Sequence, residues 1–315
     1  MNGTIRFPHL GITLTHVIKT IRIGDFEIAC YGIVLAVAMM TGLFLAMRVA
    51  KATGQREEDY FDLGITAIIV AVICARAYYV VFSWDYYSSH PAEIFNLRRG
   101  GLAIYGGVIG GILTVILFCR VRKMDYRKAL DTAAIGLVWG QAIGRWGNFF
   151  NREAFGDYTD NLLAMQLPVS DVRASEITEA MREHLLVIDG AEYIQVHPTF
   201  LYESLWNLGV LVILLAMTSK RVRERERDVL RKQPAPHGGE KAVRGRSNSG
   251  EDGKIVLTYL LLYGAGRFWI EGLRTDQLLL FGTGLPVSQV LSGILIALSL
   301  TLLIIMKMKG TKDDE

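Results

Sequence analysis

Ile28-Ala-Cys-Tyr-Gly-Ile-Val-Leu-Ala-Val-Ala-Met-Met-Thr-Gly-Leu-Phe-Leu-Ala-Met47 is a run of twenty residues without a charge. A helix rises about 1.5 Å per residue, so this run can cross a hydrocarbon layer about 30 Å thick. Gly100 to Phe118 and Leu278 to Met306 are also uncharged. In lipid every backbone amide must be satisfied within its own segment, which makes such runs helices. Of the 315 residues, 51% are hydrophobic, and the mean hydropathy is +0.30. This composition predicts an all-α polytopic membrane protein rather than a soluble domain.

Seven spans are expected, at about 28–47, 61–82, 101–119, 131–149, 197–218, 255–272 and 284–306. Arg76, Arg145, Glu203, Arg267 and Glu271 interrupt some of them, but the loop charges alternate correctly only if all seven are kept. Twenty-two of the 34 Lys and Arg then fall on one side, nine on the other and three inside spans. The positive-inside rule puts the N-terminus outside and the C-terminus in the cytoplasm. The net charge of +3 and pI near 8.7 reflect this topology and do not point to nucleic acid. Cys30, Cys74 and Cys119 all lie in apolar runs, with neither disulfide nor metal spacing. No cleavable signal peptide is expected, because the first apolar run continues as a full span.

The spans divide the chain into an external interfacial segment at 1–27, transmembrane helices 1–4 at 28–151 and a small acidic external head at 152–196. Helices 5–7 follow at 197–306, with a cytoplasmic tail at 307–315. Residues 220–254 combine Arg223-Glu-Arg-Glu-Arg227 with Pro234, Pro236 and a Gly/Ser/Asn-rich run. That composition predicts a frayed helix end followed by a disordered basic insert. Residues Phe7 to Ile23 are amphipathic enough to lie on the outer interface.

Placed along their spans, Tyr31, Arg76, Tyr105, Arg145, His197, Glu203, Arg267 and Glu271 come to one level near the outer surface. A charge at a span centre costs about 2.5–3.5 kcal/mol, so these residues face a polar cavity or a partner. Two cations in one bundle need an anion. Glu203 and Glu271 could supply it, and so could a lipid phosphate, which suits guanidinium forks; the phosphate is the preferred reading. Arg76 reads as a bundle residue snorkelling to the interface. Gly106 and Gly107 sit in small-xxx-small patterns that permit close helix packing, with phosphate cradling as a secondary role. His197, before Pro198, suits a helix start as well as it suits catalysis.

Gly144-Arg-Trp-Gly-Asn-Phe-Phe-Asn-Arg-Glu-Ala-Phe-Gly156 resembles the signature of the prolipoprotein diacylglyceryl transferase family. Gly100-Gly-Leu-Ala-Ile-Tyr-Gly-Gly107, His197-Pro-Thr-Phe-Leu-Tyr-Glu203 and Tyr263-Gly-Ala-Gly-Arg-Phe-Trp-Ile-Glu-Gly-Leu-Arg274 resemble other family motifs, and Tyr31-Gly32 fits its first span. The resemblance covers the chain apart from the 220–254 insert. It implies an enzyme of the bacterial inner membrane with its active site toward the outer leaflet. This enzyme would transfer the diacylglyceryl group of phosphatidylglycerol to a lipobox cysteine, releasing glycerol phosphate and using no cofactor. Its partners would be phosphatidylglycerol, prolipoprotein signal peptides and the bilayer. By motif position, Arg145, Asn148, Glu153 and Gly156 are its signature residues, with Tyr31, Tyr263, Arg267 and Glu271 as further functional positions.

The expected catalytic set is Arg145, Glu153, Arg267, Glu271 and Tyr105. Tyr31, Asn148, Gly156, His197, Glu203, Tyr263, Gly106 and Gly107 are the expected substrate contacts. The arginines would stabilise charge on the departing phosphate, and Glu153 or Glu271 would take the thiol proton. Tyr105 stands where many relatives carry histidine, and a phenol with pKa near 10 is a poor base at neutral pH. Arg152 stands where glycine is common, which leaves the local turn open. A transporter is the main competing reading, although the chain shows no internal repeat. The third is a lipid-binding scaffold without chemistry, which would need Arg145 but not Glu153.

Overall fold

A computed structural model describes residues 3–97, 100–232, 251–280 and 282–312. Helices α1 (Cys30–Ala52), α2 (Glu57–Phe82), α3 (Trp84–Tyr87), α4 (Ile104–Arg122), α5 (Tyr126–Gly144) and α6 (Trp146–Asn151) form the first half. Helices α7 (Glu179–Glu183), α8 (Thr199–Lys232), α9 (Lys254–Glu271) and α10 (Val287–Lys312) follow. The strands are β1 (Ile5–Phe7), β2 (Ile12–Leu14), β3 (Thr20–Ile23), β4 (Phe26–Ala29), β5 (Met165–Pro168), β6 (Leu186–Ile188) and β7 (Ala191–Val196).

Among the described residues, five helical segments are long and apolar enough to cross a membrane: Cys30–Ala52, Glu57–Phe82, Ile104–Arg122, Thr199–Arg227 and Val287–Lys309. The other two expected spans coincide with α5 and α9, helices of 19 and 18 residues that carry more polar groups. The span expected at 131–149 is not continuous, because the chain breaks after Gly144 and resumes as the short α6. At 34 residues, α8 is about 51 Å long and runs straight through the Arg-Glu repeat where fraying was expected. Residues 233–250 of the expected insert lie outside the described residues.

The chain forms two compact units, each described by itself. The first contains the described residues of Met1–Gly42, Ala134–Lys220 and Arg246–Glu315, and the second those of Leu43–Ala133 and Arg221–Gly245.

In the first unit the all-α expectation fails outside the long helices. A five-stranded sheet runs in the order β2-β1-β5-β7-β6, and every pairing is antiparallel. Ile5 and Phe7 alternate with Arg6, so one face of β1 is apolar and half-buried strand is its natural state. These two residues join Phe149, Phe155, Leu167, Ile194 and Phe200 in one core. The segment expected only to lie on an interface thus supplies a strand to this core, while β3 and β4 form a separate exposed hairpin. Close helix approach accounts for Gly42 of α1 and Gly140 of α5. A Cβ on Gly42 would lie 2.6 Å from the Gly136 carbonyl oxygen, and one on Gly140 would lie 3.4 Å from that of Ala38.

In the second unit α2 packs along α4. A Cβ on Gly106 would lie 2.4 Å from the Cys74 carbonyl oxygen, so packing alone requires glycine there. Arg76 corrects the snorkelling expectation. It is buried, and its guanidinium donates to the carbonyls of Glu93, Ile94, Gly100 and Gly101 at 2.6–2.9 Å. Arg76 thus satisfies four carbonyls of the connection between α3 and α4 from within.

Candidate active site

Three helices of the first unit meet at one carboxylate. Arg145, at the break between α5 and α6, places Nε 2.7 Å from Glu203 Oε2. Arg267 of α9 places Nη1 2.7 Å from Glu203 Oε1 and also pairs with Glu271, one turn further along its own helix. Arg274 approaches Glu203 at 4.0 Å and grips Asp276 through two hydrogen bonds of 2.9 and 2.8 Å. The Glu203 and Glu271 side chains are 5% and 4% exposed, so desolvation strengthens every pairing here. Burial alone would push the Asp276 carboxyl up, but Arg274 outweighs it and holds the group below the usual carboxylate range.

Local packing fixes these groups. Ser204 donates to the Ala142 carbonyl at 2.8 Å and accepts from the Trp146 indole at 3.2 Å, tying α8 to both sides of the α5–α6 break. Arg267 and Glu271 lie one turn apart on the same face of α9, while Arg274 follows the end of the helix and is held by a bridge to Gly156. A narrow cleft opens from Glu203 and Arg267 along Trp206, Asn207 and Tyr263.

Glu153 occupies a second position. Arg152 and Ala154 on either side of it have φ of 54° and 57°, a left-handed conformation that side chains rarely adopt. This answers the question of the missing glycine: Arg152 takes the left-handed C-cap of α6 and is held there by its own side chain. Its guanidinium donates to the carbonyls of Phe150 and Val17 and lies 3.2 Å from Asp171. Glu153 Oε1 accepts from Asn148 at 3.1 Å and Asn151 at 3.2 Å, while Arg173 stands 3.9 Å from Oε2.

The remaining first-unit candidates divide into packing and polar positions. The Tyr31 ring lies against Gly147, where a Cβ would come within 2.6 Å of it. Gly156 is buried where three segments cross, and its Cβ would meet the Leu273 carbonyl at 2.7 Å and His197 Cβ at 2.8 Å. His197 reaches the Tyr202 hydroxyl at 3.2 Å and Asn161 at 3.4 Å, and burial pushes its imidazole below the ordinary value. Tyr105, Gly106 and Gly107 belong to the second unit, where Tyr105 lies 6.5 Å from Tyr78 between ring centroids. Sequence reasoning missed Arg274, Arg173 and Asn151. Arg274 and Asn151 carried a signal, since both lie inside the quoted motifs, whereas Arg173 carried none.

The profile of the prolipoprotein diacylglyceryl transferase family matches residues 19–232 and 241–305. The chain is 39% identical over 292 residues to a phosphatidylglycerol–prolipoprotein diacylglyceryl transferase of Bacillus velezensis, covering 93% of each chain. Those of Bacillus cereus and Bacillus mycoides are 37% and 36% identical over 293 residues, again with 93% coverage of each chain. The chain belongs to the prolipoprotein diacylglyceryl transferase family. In this transferase the signature stretch 144–156 forms the α5–α6 break, the left-handed turn at Glu153 and the buried crossing at Gly156. The motif 263–274 brings Arg267 and Arg274 to Glu203 and pairs Glu271 with Arg267.

Proposed function

We propose that the protein transfers the diacylglyceryl group of phosphatidylglycerol to the lipobox cysteine thiol of a prolipoprotein, with Arg145 and Arg267 binding the phosphate. The observation that carries this reading is Glu203, one carboxylate bridging two buried guanidiniums. A phosphate presents the same acceptor geometry and can take over those donors.

The reaction follows from that placement. The thiol sulfur attacks the glyceryl carbon, a carbon–sulfur bond forms, and the carbon–oxygen bond to phosphate breaks. The electron pair leaves on the phosphate oxygen as glycerol phosphate. Preorganised guanidiniums in a dry site stabilise that developing charge. The thiol, with an ordinary pKa near 8.5, must lose its proton. Glu153 suits that role better than Glu271. Its side chain is 26% exposed and has one oxygen clear of the asparagine pair, whereas Glu271 is buried against Arg267.

The seven-span layout, with the N-terminus outside the inner membrane, belongs to the same proposal. The charge asymmetry of the loops supports it, with the site facing the outer leaflet and signal peptides arriving through the bilayer. Gly106 and Gly107 serve as packing positions against α2.

The phosphate clamp is tested by Arg145→Lys and Arg267→Lys, which keep charge and lose the bidentate fork. Each should lower transfer at least about tenfold, equivalent to about 1.4 kcal/mol. Unchanged rates in both variants would sink the clamp.

A further inference from the structure

The Glu203 pairings hold α5, α8 and α9 at one level. One turn away, toward the middle of both helices, stand Asn207 on α8 and Tyr263 on α9, each four residues from its charged neighbour. Both line the cleft that opens from Glu203 and Arg267. Asn207 is only 3% exposed, yet its amide has no side-chain hydrogen bond among the described residues, and neither does the Tyr263 hydroxyl. Trp206 does not fill this role, because its indole N–H is committed to the Leu262 carbonyl at 2.9 Å. Glycine at 266 lets that indole lie against α9, where a Cβ would come within 2.2 Å of it.

Asn207 is buried but its amide reaches the cleft, so a polar ligand lying there can complete its hydrogen bonds. Neutral donors one turn below the charged level suit an uncharged carbonyl, which needs hydrogen bonds and no counter-charge. The order along α8 is also informative: the charged Glu203 level, then neutral Asn207, then the apolar run Leu208-Gly-Val-Leu-Val-Ile-Leu-Leu215. A phosphoglyceride has the same order, with phosphate, ester carbonyls and hydrocarbon in succession. One helical turn of about 5.4 Å matches the step across a glycerol backbone.

We propose that Asn207 and Tyr263 form a subsite that donates hydrogen bonds to the ester carbonyls of the bound phospholipid. This rests on the phosphate reading of Arg145 and Arg267 and adds to it a recognition of ester linkage. The subsite holds the glyceryl group by its carbonyls, away from the carbon–oxygen bond that breaks.

The test is equilibrium binding of two synthetic phosphatidylglycerols to the full-length protein in detergent, one ester-linked and one ether-linked and so lacking carbonyls. Wild type should bind the diester about tenfold more tightly than the diether. Asn207→Leu should weaken diester binding about fivefold and leave diether binding unchanged. Asn207→Ala removes the donor without adding bulk or charge and should lose the same preference, which guards against a packing effect of leucine. Tyr263→Phe should behave in the same way. Equal weakening of both lipids, or a preference that survives all three variants, would overturn the subsite. The phosphate reading fails separately: if Arg145→Lys and Arg267→Lys bind both lipids as wild type does while the diester preference persists, the subsite stands and the clamp falls.

Discussion

Glu203 shares its two oxygens between Arg145 and Arg267, so each guanidinium keeps an anionic partner in a site that excludes most water. The need for an anion beside these arginines was legible from their places in apolar runs. The choice of Glu203 over Glu271 as the bridge was not, because it depends on how α5, α8 and α9 pack. Arg152 is a clearer case of what stayed hidden. Its left-handed backbone is stabilised through Val17 and Asp171, and no local pattern announces partners so distant in the chain. His197 yields a prediction on pH. Burial lowers its pKa, so the folded state prefers neutral imidazole, while the unfolded chain titrates near 6.5. Its contribution to stability is present above that value and declines as pH falls toward the folded value. Thermal unfolding at pH 7.5 and 5.5 should show a larger acid-side loss in wild type than in His197→Gln. Equal losses would remove His197 as the source.

At the scale of elements, the long apolar helices were legible because uncharged runs of about twenty residues leave few alternatives. The sheet was less so. β1, β2 and β6 are three residues each, and the β1–β5 pairing joins residues 6 and 166, a contact that periodicity within a window cannot reveal. The break at Gly144–Arg145 was read through as one span because its flanks are apolar on both sides. The orientation we propose from the loop charges makes a definite prediction. In a cysteine-free background, a cysteine replacing the exposed Asp160 should react with an impermeant maleimide in spheroplasts. One replacing the exposed Arg225 should react only after the membrane is opened. The reverse pattern would invert the topology.

For the whole molecule, the family assignment and the geometry point to one chemistry. The first unit holds the arginine–glutamate cluster, the Glu153 turn and the sheet, and the second holds Arg76 and the Tyr105 segment. A lipid-binding scaffold would bind phosphatidylglycerol without consuming it, and a transporter would return it unchanged. A transferase must instead move the glyceryl carbon onto sulfur and release the phosphate with its glycerol. The decisive measurement combines purified protein, phosphatidylglycerol vesicles and a lipobox peptide, following peptide mass and free glycerol phosphate together. The account predicts that each modified peptide gains one diacylglyceryl group on its cysteine and that one glycerol phosphate appears for each. Lipid binding without peptide modification, or acyl transfer that leaves a lysolipid and no glycerol phosphate, would contradict it.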